Sequence, residues 1–423
     1  MNDRGSDRAQ GAARRPSLLF VSTRYLFPTD SGGKIRTVNI LRGLKGGRFE
    51  ITLASPFPAD GIGGDEAAVA AVCDRFAGWP VAPRGRLYTL GRALTLFDAL
   101  PVAVASDRSE PGRRVVAEQL ALRPDLLVVD FPHAAVLLPA RIEAPAVLFT
   151  HNVETEIFQR HFQVAADFAR RALWRSQTAK MDRFEGGTLR RFDTVIAVSE
   201  RDAGQFRARY GIERTATIPT GVDLQYFEHR APAQRGADEA HTVVFTGSMD
   251  WLANIDGIGW FLESVWPRIS AARPDTRMVV VGRAPPAALV KAARDRGLKW
   301  EFTGFVDDVR PYVHAADVFV IPLRVGGGTR IKAYEAMAMG CPVVSTTIGV
   351  EGLPLAAGGE YERADAPEAF ADAVVRLLGD ADRRGALSGR ARLHVEEHFS
   401  APRVARVFED ICLGTLERRA VAA

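Results

Sequence analysis

Hydrophobic residues in this chain fall into short runs rich in Val, Ile and Phe, and these runs alternate with longer stretches of helical spacing. Short continuous apolar runs are typical of strands buried on both faces, and their alternation with helices indicates parallel sheets with crossover helices. A long charged stretch at 153–191 is predicted to be helical. Strands are predicted in a first set at 17–23, 49–55, 125–130, 146–151, 193–199 and 215–220, and in a second set at 241–248, 276–282, 301–305, 317–322 and 342–346.

The segment between the two sets, "TGVDLQYFEHRAPAQRGADEA", is rich in Gly, Pro and charge and is the predicted domain boundary. We predict a disordered tail at 1–15, an N-terminal Rossmann-like domain at 16–222 and a C-terminal one at 223–399. A last helix at 400–423 is predicted to pack back on the N-terminal domain. This α/β arrangement of two doubly wound domains implies a cleft between them, with ligand loops at the carboxyl ends of the strands.

Composition narrows the class of protein. The 423 residues are 47% hydrophobic and 25% charged, which is typical of a soluble globular protein with room for two cores. The net charge of +4 is spread along the chain, too weakly to indicate a nucleic-acid partner. No run approaches the roughly 18 apolar residues of a membrane span, and three scattered cysteines fit a reducing compartment. We therefore expect a cytoplasmic protein whose membrane contact, if it has one, is peripheral at the inner face of the membrane.

The segment "GGGTRIKAYEAMAMG" at 326–340 carries the clearest chemistry. Thr329 suits an N-cap, Gly340 a helix terminus, and Pro342 cannot continue a helix, so a short helix is predicted at 330–339.

Helical spacing turns the carboxylate of Glu335 inward, beside Arg330 and Lys332. Glycines before a helix let the backbone approach a phosphate, arginine and lysine add charge, and an inward glutamate can accept hydrogen bonds from ribose hydroxyls. Together these features predict a nucleoside diphosphate site. Taken alone, the loop is more simply a glycine-rich turn with solvated cations. The predicted site residues in this segment are Gly327, Gly328, Thr329, Arg330, Lys332 and Glu335.

Two further candidates follow predicted strands of the first set. Gly32 and Gly33 lie between the first strand and a helix, where they form either a substrate-binding loop or a plain turn. His151 directly follows a strand, and a lone histidine there is either catalytic or structural. The aspartates of "DAD" at 380–382 are interpreted as a solvated turn, and Trp251 as core or boundary packing.

Six segments in order resemble the retaining GT-B glycosyltransferases of family 4. They are "VSERDAGQF", "IPTGVD", "FTGSMDWLANIDGIGWF", "VVVGRAP", "FTGFVDDVRPYVHAADVFVIP" and "PLRVGGGTRIKAYEAMAMGCPVVSTTIGVEGL". The resemblance implies transfer of a sugar from a nucleotide sugar to the hydroxyl of a glycan or lipid-linked acceptor, with retention, in polysaccharide or glycan biosynthesis. It also implies that His151 faces the transferred sugar and that the glycine loop at Gly32 and Gly33 closes over the diphosphate.

The chain departs from the family pattern at two places. The family's Glu-x7-Glu motif would place its first glutamate at position 327, where this chain has Gly327. Many relatives carry an arginine and a lysine after the first strand of the C-terminal domain, whereas "GSMDWLAN" at 247–254 has neither. We therefore assign the cationic contacts with the diphosphate to Arg330 and Lys332, as catalytic residues that stabilise the leaving group.

Several alternatives stay open from the residues alone. A GT-B nucleotide-sugar epimerase and a non-catalytic nucleotide-binding module would use the same site. A dinucleotide oxidoreductase is disfavoured because no GxGxxG follows any predicted strand. Because backbone and Arg or Lys groups handle the phosphate charge, we expect no metal and no cofactor other than the donor substrate. The donor base, the sugar, the acceptor and the oligomeric state are left open.

Overall fold

A computed structural model describes residues 14–29, 31–81, 95–164, 167–230, 240–325 and 330–422. The first thirteen residues of the predicted tail lie outside this part of the chain. The described chain divides into two compact units. The first contains residues up to Ala197, Ala203–Ala216 and those from Arg406 onward, and the second contains Val198–Asp202 and Thr217–Ala405. The domain limits inferred from the sequence stay predictions.

The first unit is built on a sheet with seven strands within the described residues, in the order β3-β2-β1-β4-β5-β6-β7. Pairing is parallel from β3 to β6. The strands are β1 Ser17–Ser22, β2 Glu50–Phe57, β3 Arg75–Pro80, β4 Leu126–Asp130, β5 Ala146–Phe149, β6 Thr194–Ala197 and β7 Thr215–Thr217.

The second unit has a parallel sheet with six strands in the described chain, in the order β10-β9-β8-β11-β12-β13. Alternate residues of its strands enter two separate cores, with Val244 and Phe319 in one and Val243 and Val320 in the other. This two-sided burial explains the continuous apolar runs. The strands are β8 Thr242–Thr246, β9 Arg277–Val281, β10 Trp300–Gly304, β11 Val318–Ile321, β12 Val343–Ser345 and β13 Glu362–Arg363.

Helices connect the strands in both units. Those of the first unit are Gly32–Leu44, Glu66–Ala70, Val102–Ala105, Glu110–Ala121, Glu154–Val164 and Phe168–Leu189. Those of the second are Leu252–Trp260, Trp266–Ala272, Ala287–Asp295, Arg310–His314, Ile331–Ala338, Pro367–Gly379 and Ala381–His398. The helices Glu200–Tyr210 and Ala401–Ala422 each have residues in both units. No helix in the described part of the chain is both long and apolar enough to cross a membrane.

The predicted strands are all present, which confirms the apolar-run interpretation. Two further strands, β3 and β13, were not predicted, because "RFAGWP" mixes polar and apolar residues and β13 has two residues. The predicted stretch at 153–191 forms two helices. The predicted helix at 330–339 is Ile331–Ala338, and Gly340, with φ of 78°, follows its end as expected.

The last helix is tied to the first sheet's unit by buried contacts. Glu409 accepts hydrogen bonds from the backbone N–H of Arg48 at 2.7 Å and from its Nε at 2.8 Å. Phe408 packs edge-on against Phe149 of β5, with ring centroids 5.2 Å apart. All of these residues belong to the first unit.

All three cysteines are buried and unpaired by disulfides. Cys73 and Cys412 lie in the first unit, and Cys341 lies in the second. Burial raises the pKa of the Cys73 thiol to about 11 and raises that of Cys412 as well.

Candidate functional site

Arg330 is held at the start of the helix Ile331–Ala338, where it occupies the N-cap position. It is 3% exposed, and its Nε donates to the backbone carbonyl of Ile348 at 3.2 Å. Its guanidinium carbon lies 5.8 Å from the ring centroid of Trp251. Contacts of this kind fix the plane of an arginine and aim its remaining donors.

Lys332 extends from the same helix to the carboxyl end of β8. Its Nζ donates to the backbone carbonyl of Thr246 at 2.7 Å, lies 3.4 Å from Oδ1 of Asn254 and lies 4.2 Å from the centroid of Phe245. Burial and, to a smaller extent, the charge of Arg330 lower the pKa of the Lys332 ammonium to about 7, against the raising effect of Glu335. A lysine in such a pocket gains its proton readily when an anion arrives.

Glu335 lies one turn after Arg330. Within the described chain its carboxylate has no hydrogen bond or ion pair, and its electrostatic interaction is with the charge of Lys332. Burial raises the pKa of this carboxyl to about 7, against the lowering effect of Lys332. A half-buried carboxylate without donors is costly, and ligand hydroxyls can supply those donors.

The ends of β8 and β9 meet backbone to backbone beside Lys332. Gly247 donates its N–H to the carbonyl of Val281 at 2.9 Å, and a Cβ on Gly282 would overlap the carbonyl oxygen of Gly247. A Cβ on Gly247 would lie 2.8 Å from the Nζ of Lys332. These two glycines therefore keep side chains out of the space around the ammonium.

The remaining predicted residues of this segment, Gly327, Gly328 and Thr329, lie outside the described residues. Glu335 is half-buried and interacts with the charge of Lys332, and its predicted role in a nucleotide site stays a prediction. Trp251, which was interpreted as core or boundary packing, is 41% exposed and so is not a core residue, and its ring centroid lies 5.8 Å from the guanidinium carbon of Arg330. Trp251 occupies the N-cap position of the helix Leu252–Trp260, five residues after the end of β8.

A second polar cluster lies in the first unit, at the carboxyl ends of β1, β4 and β5. Its centre is Asp130, which is 2% exposed. The carboxylate accepts hydrogen bonds from Thr37 Oγ1 at 3.1 Å, from Ser22 Oγ at 3.2 Å and from His151 Nε2 at 2.8 Å. These donors compensate the buried charge. The sequence analysis missed Asp130, although it ends the apolar run "LLVVD".

His151 is enclosed on all sides. Its Nδ1 lies 3.1 Å from Nη1 of Arg36, which can only donate, so Nδ1 accepts and Nε2 carries the proton that Asp130 receives. Its ring stacks on Phe131, with centroids 3.9 Å apart and planes 8° apart. Burial lowers the pKa of His151, Asp130 opposes this, and the charges of Arg36 and Arg24 lower the pKa further. The imidazole is therefore neutral, and its direct contact with a sugar stays a prediction.

Phe131 has a strained backbone, with φ of 66° and ψ of 145°. Such a conformation in a residue with a side chain costs about 1–3 kcal/mol and persists where the surroundings enforce it. Here the Phe131 N–H donates to the carbonyl of Phe149 at 2.9 Å.

Gly33 makes room for this ring, because a Cβ there would lie 2.8 Å from Cζ of Phe131. Gly32 begins the helix Gly32–Leu44, so both predicted glycines lie at a helix start.

Both "DAD" aspartates are exposed, as interpreted, but Asp382 lies in the first turn of a helix and not in a turn between helices. Asp380 caps the helix Ala381–His398 by accepting from the N–H of Arg383 at 2.9 Å. Across the described ranges, no group of three or more His, Cys, Asp or Glu side chains could hold a metal ion. The expected independence from metals stays a prediction.

The chain matches two family descriptions. Residues 31–226 match "Glycosyltransferase Family 4" and residues 240–380 match "Glycosyl transferases group 1".

Curated relatives include a GDP-mannose-dependent monoacylated alpha-(1-6)-phosphatidylinositol monomannoside mannosyltransferase of Corynebacterium glutamicum. It is 28% identical, over 49% of this chain and 58% of that protein. The lipopolysaccharide core biosynthesis mannosyltransferase LpsB of Rhizobium meliloti is 29% identical, over 52% of this chain and 64% of that protein. The chain thus spans less than two thirds of the length of these relatives.

Solved structures share the fold. HepE of Anabaena in complex with UDP and glucose has a TM-score of 0.62 at 18% identity, covering 93% of this chain and 98% of that one. Sucrose-phosphate synthase of Thermosynechococcus elongatus has a TM-score of 0.64 at 20% identity, covering 96% and 100%. The fold is GT-B, with two Rossmann-like domains.

Proposed function

We propose that this chain, which belongs to the family 4 glycosyltransferases, transfers a sugar from a nucleotide-diphosphate sugar to an acceptor hydroxyl with retention of anomeric configuration. Two curated relatives are named as mannosyltransferases, one of them GDP-mannose-dependent. GDP-mannose is therefore the first donor to test. The names of these relatives also favour an acceptor in glycolipid or lipopolysaccharide biosynthesis.

One observation carries this proposal: two cations, and a carboxylate that has no hydrogen-bond or ion-pair partner among the described residues, lie on one short helix and its N-cap at the carboxyl end of a parallel sheet. Arg330 and Lys332 come first, and Glu335 follows Lys332 within one turn. This order matches a nucleoside diphosphate, whose phosphates need cations and whose adjoining ribose offers hydroxyl donors.

The proposed roles follow from the charge that develops during the reaction. As the sugar–phosphate bond breaks, negative charge grows on the diphosphate, and cations already in place stabilise it without reorganising. Arg330 and Lys332 are assigned this role, and Glu335 is assigned the ribose. In the first unit, His151 is assigned to the transferred sugar. The loop at Gly33 is assigned to the acceptor. The departing phosphate takes the acceptor proton.

The test is a panel of UDP-, GDP- and ADP-sugars, read by ligand-induced melting shifts and by product formation with glycan and lipid-linked acceptors. We expect a melting shift with one nucleotide class and transfer of its sugar, with an axial or equatorial anomeric bond that matches the donor by NMR. Lys332→Met and Glu335→Gln should each weaken donor binding by about ten-fold or more. Lys291→Met, an exposed lysine of the same unit paired with Asp295, is the control.

Incubation with the donor alone separates the alternatives. Epimerised donor without an acceptor would indicate an isomerase, and binding without any turnover or hydrolysis would indicate a non-catalytic module. We expect activity to survive a chelator. Loss of activity with EDTA and its return with manganese would show that a metal supplies charge that we assign to Arg330 and Lys332.

A further inference from the structure

Arg24 lies two residues after the end of β1, beside the cluster around Asp130, and neither the sequence analysis nor the proposed roles use it. We propose that its guanidinium binds an anionic group, such as a phosphate, on the acceptor substrate. This inference rests on the proposed function and narrows the chemistry of its acceptor.

Arg24 and His151 both contact the ring of Phe131. The guanidinium carbon of Arg24 lies 5.0 Å from the ring centroid of Phe131, and the imidazole of His151 stacks on the same Phe131 ring with centroids 3.9 Å apart. The imidazole is fixed in turn by Asp130 at 2.8 Å. Arg24 is therefore an exposed cation on an aromatic ring whose other stacking partner, His151, is held by buried contacts.

The contacts of Arg24 and His151 with Phe131 depend on a strained backbone at Phe131. Phe131 has a φ of 66°, a region that residues with side chains rarely adopt, and Gly33 leaves space that any side chain would fill. Strained residues of this kind gather at ligand-binding sites. Straightening Phe131 would remove the surface on which Arg24 lies, so the strain maintains the position of an exposed cation.

The guanidinium of Arg24 is available to a ligand. The side chain is exposed, and among the described residues it has no hydrogen bond or ion pair beyond its contact with the Phe131 ring. The contact with the Phe131 ring uses none of the N–H donors of the guanidinium, and these donors can bind two oxygens of an anion. The carboxylate of Asp130 does not compete, because it is buried and already accepts hydrogen bonds from three side chains.

The position favours the acceptor over the donor. Ligands of open parallel sheets bind at the carboxyl ends of the strands, where Arg24 lies. The donor diphosphate already has two assigned cations, Arg330 and Lys332, in the other unit. A third cation, on the Phe131 ring, is then left for a negative charge that belongs to the second substrate.

The experiment compares matched acceptor-like pairs with and without a phosphate. Binding to the full chain is measured by calorimetry for myo-inositol 1-phosphate against myo-inositol, mannose 6-phosphate against mannose, and glycerol 3-phosphate against glycerol. We expect a preference of at least about ten-fold for one phosphorylated member. Arg24→Ala should remove the preference, Arg24→Lys should keep part of it, and Arg24→Glu should leave none. Absence of any preference in the unaltered protein would overturn the proposal.

The control is Arg114→Ala, which changes another exposed arginine, on the helix Glu110–Ala121, that has no ion pair in the described chain. It should keep the preference. In transfer assays with the identified donor, Arg24→Ala should raise the acceptor KM about ten-fold and leave the donor KM unchanged. A raised donor KM instead would mean that Arg24 serves the diphosphate, and the proposal would fail. If no sugar is transferred but the phosphate preference depends on Arg24, the proposed function fails while this binding site stands.

Discussion

Lys332 and Glu335 are neighbours on one helix whose pKa values are displaced toward each other. Burial disfavours the charged form of both groups. It lowers the pKa of the Lys332 ammonium and raises the pKa of the Glu335 carboxyl. Both groups therefore titrate near neutrality. A bound ligand that carries phosphates and hydroxyls would favour the charged form of each, and this makes the protonation state a sensitive readout of the site.

Glu335 should make stability depend on pH. Its pKa is about 7 in the folded chain against an ordinary 4.5, so the folded state holds more protons between these values. The stability it contributes is complete below pH 4.5 and is lost as the pH rises through 7, by up to about 3 kcal/mol. Glu335→Gln should remove this loss, as measured by urea unfolding at pH 5 and pH 7.5. Parallel changes in the two proteins would contradict the assignment.

Lys332 should take up a proton when a nucleoside diphosphate binds. With a pKa of about 7, the side chain is roughly 90% neutral at pH 8, and the anion raises that pKa. Calorimetry with GDP and UDP in buffers of different ionisation enthalpy should therefore show uptake of nearly one proton by the nucleotide that binds. Lys332→Met should abolish the uptake and Lys291→Met should keep it. Binding with no proton uptake in the unaltered protein would show that Lys332 does not meet the phosphates.

At the residue scale, helical spacing correctly placed Glu335 inside because its neighbours on the helix fix that face. It could not place the ammonium of Lys332, which reaches residues 78 and 86 positions away in the chain, Asn254 and Thr246. Asp130, Arg36 and His151 were separated in the same way, by crossover connections. Contacts that depend on sheet order are invisible to local periodicity.

Two adjacent glycines of the helix Phe168–Leu189 give a matched test of packing at the element scale. A Cβ on Gly186 would lie 2.7 Å from Cδ1 of Tyr210, whereas a Cβ on Gly187 meets no atom within 4 Å. Tyr210 cannot yield easily, because its hydroxyl donates to Glu185 at 2.8 Å.

Gly186→Ala should therefore destabilise the protein by about 1–3 kcal/mol through overpacking. Gly187→Ala should stabilise it by up to about 1 kcal/mol, because alanine is the better helix former. Thermal unfolding of both variants gives the comparison. Equal shifts in the two would show that Gly186 does not pack as described.

Among the elements, the central strands were predictable because burial on both faces leaves an apolar run that no turn interrupts. The strands β3 and β13 carry no such run, because "RFAGWP" mixes polar and apolar residues and β13 has two residues. The stretch at 153–191 could not be divided in advance, because its charged helical pattern continues through both helices.

At the scale of the whole molecule, the nucleotide assignment predicts where ligand protection appears. When the nucleotide binds, backbone hydrogen exchange should slow in 331–338, the helix that carries Lys332, and in the nearby segments 247–254 and 282–284. Peptides from β2 and from the helix Glu110–Ala121, in the other unit, are the internal reference and should change little. Protection confined to the first unit would refute the placement of the diphosphate at Arg330.

The location of the cysteines has a practical consequence. Each unit hides at least one thiol from solvent, two in the first and one in the second. A membrane-permeant alkylating reagent would therefore mark a unit only after that unit has opened, and mass spectrometry could date the two events separately. The native cysteines thus report the unfolding time of each unit separately, without any introduced label.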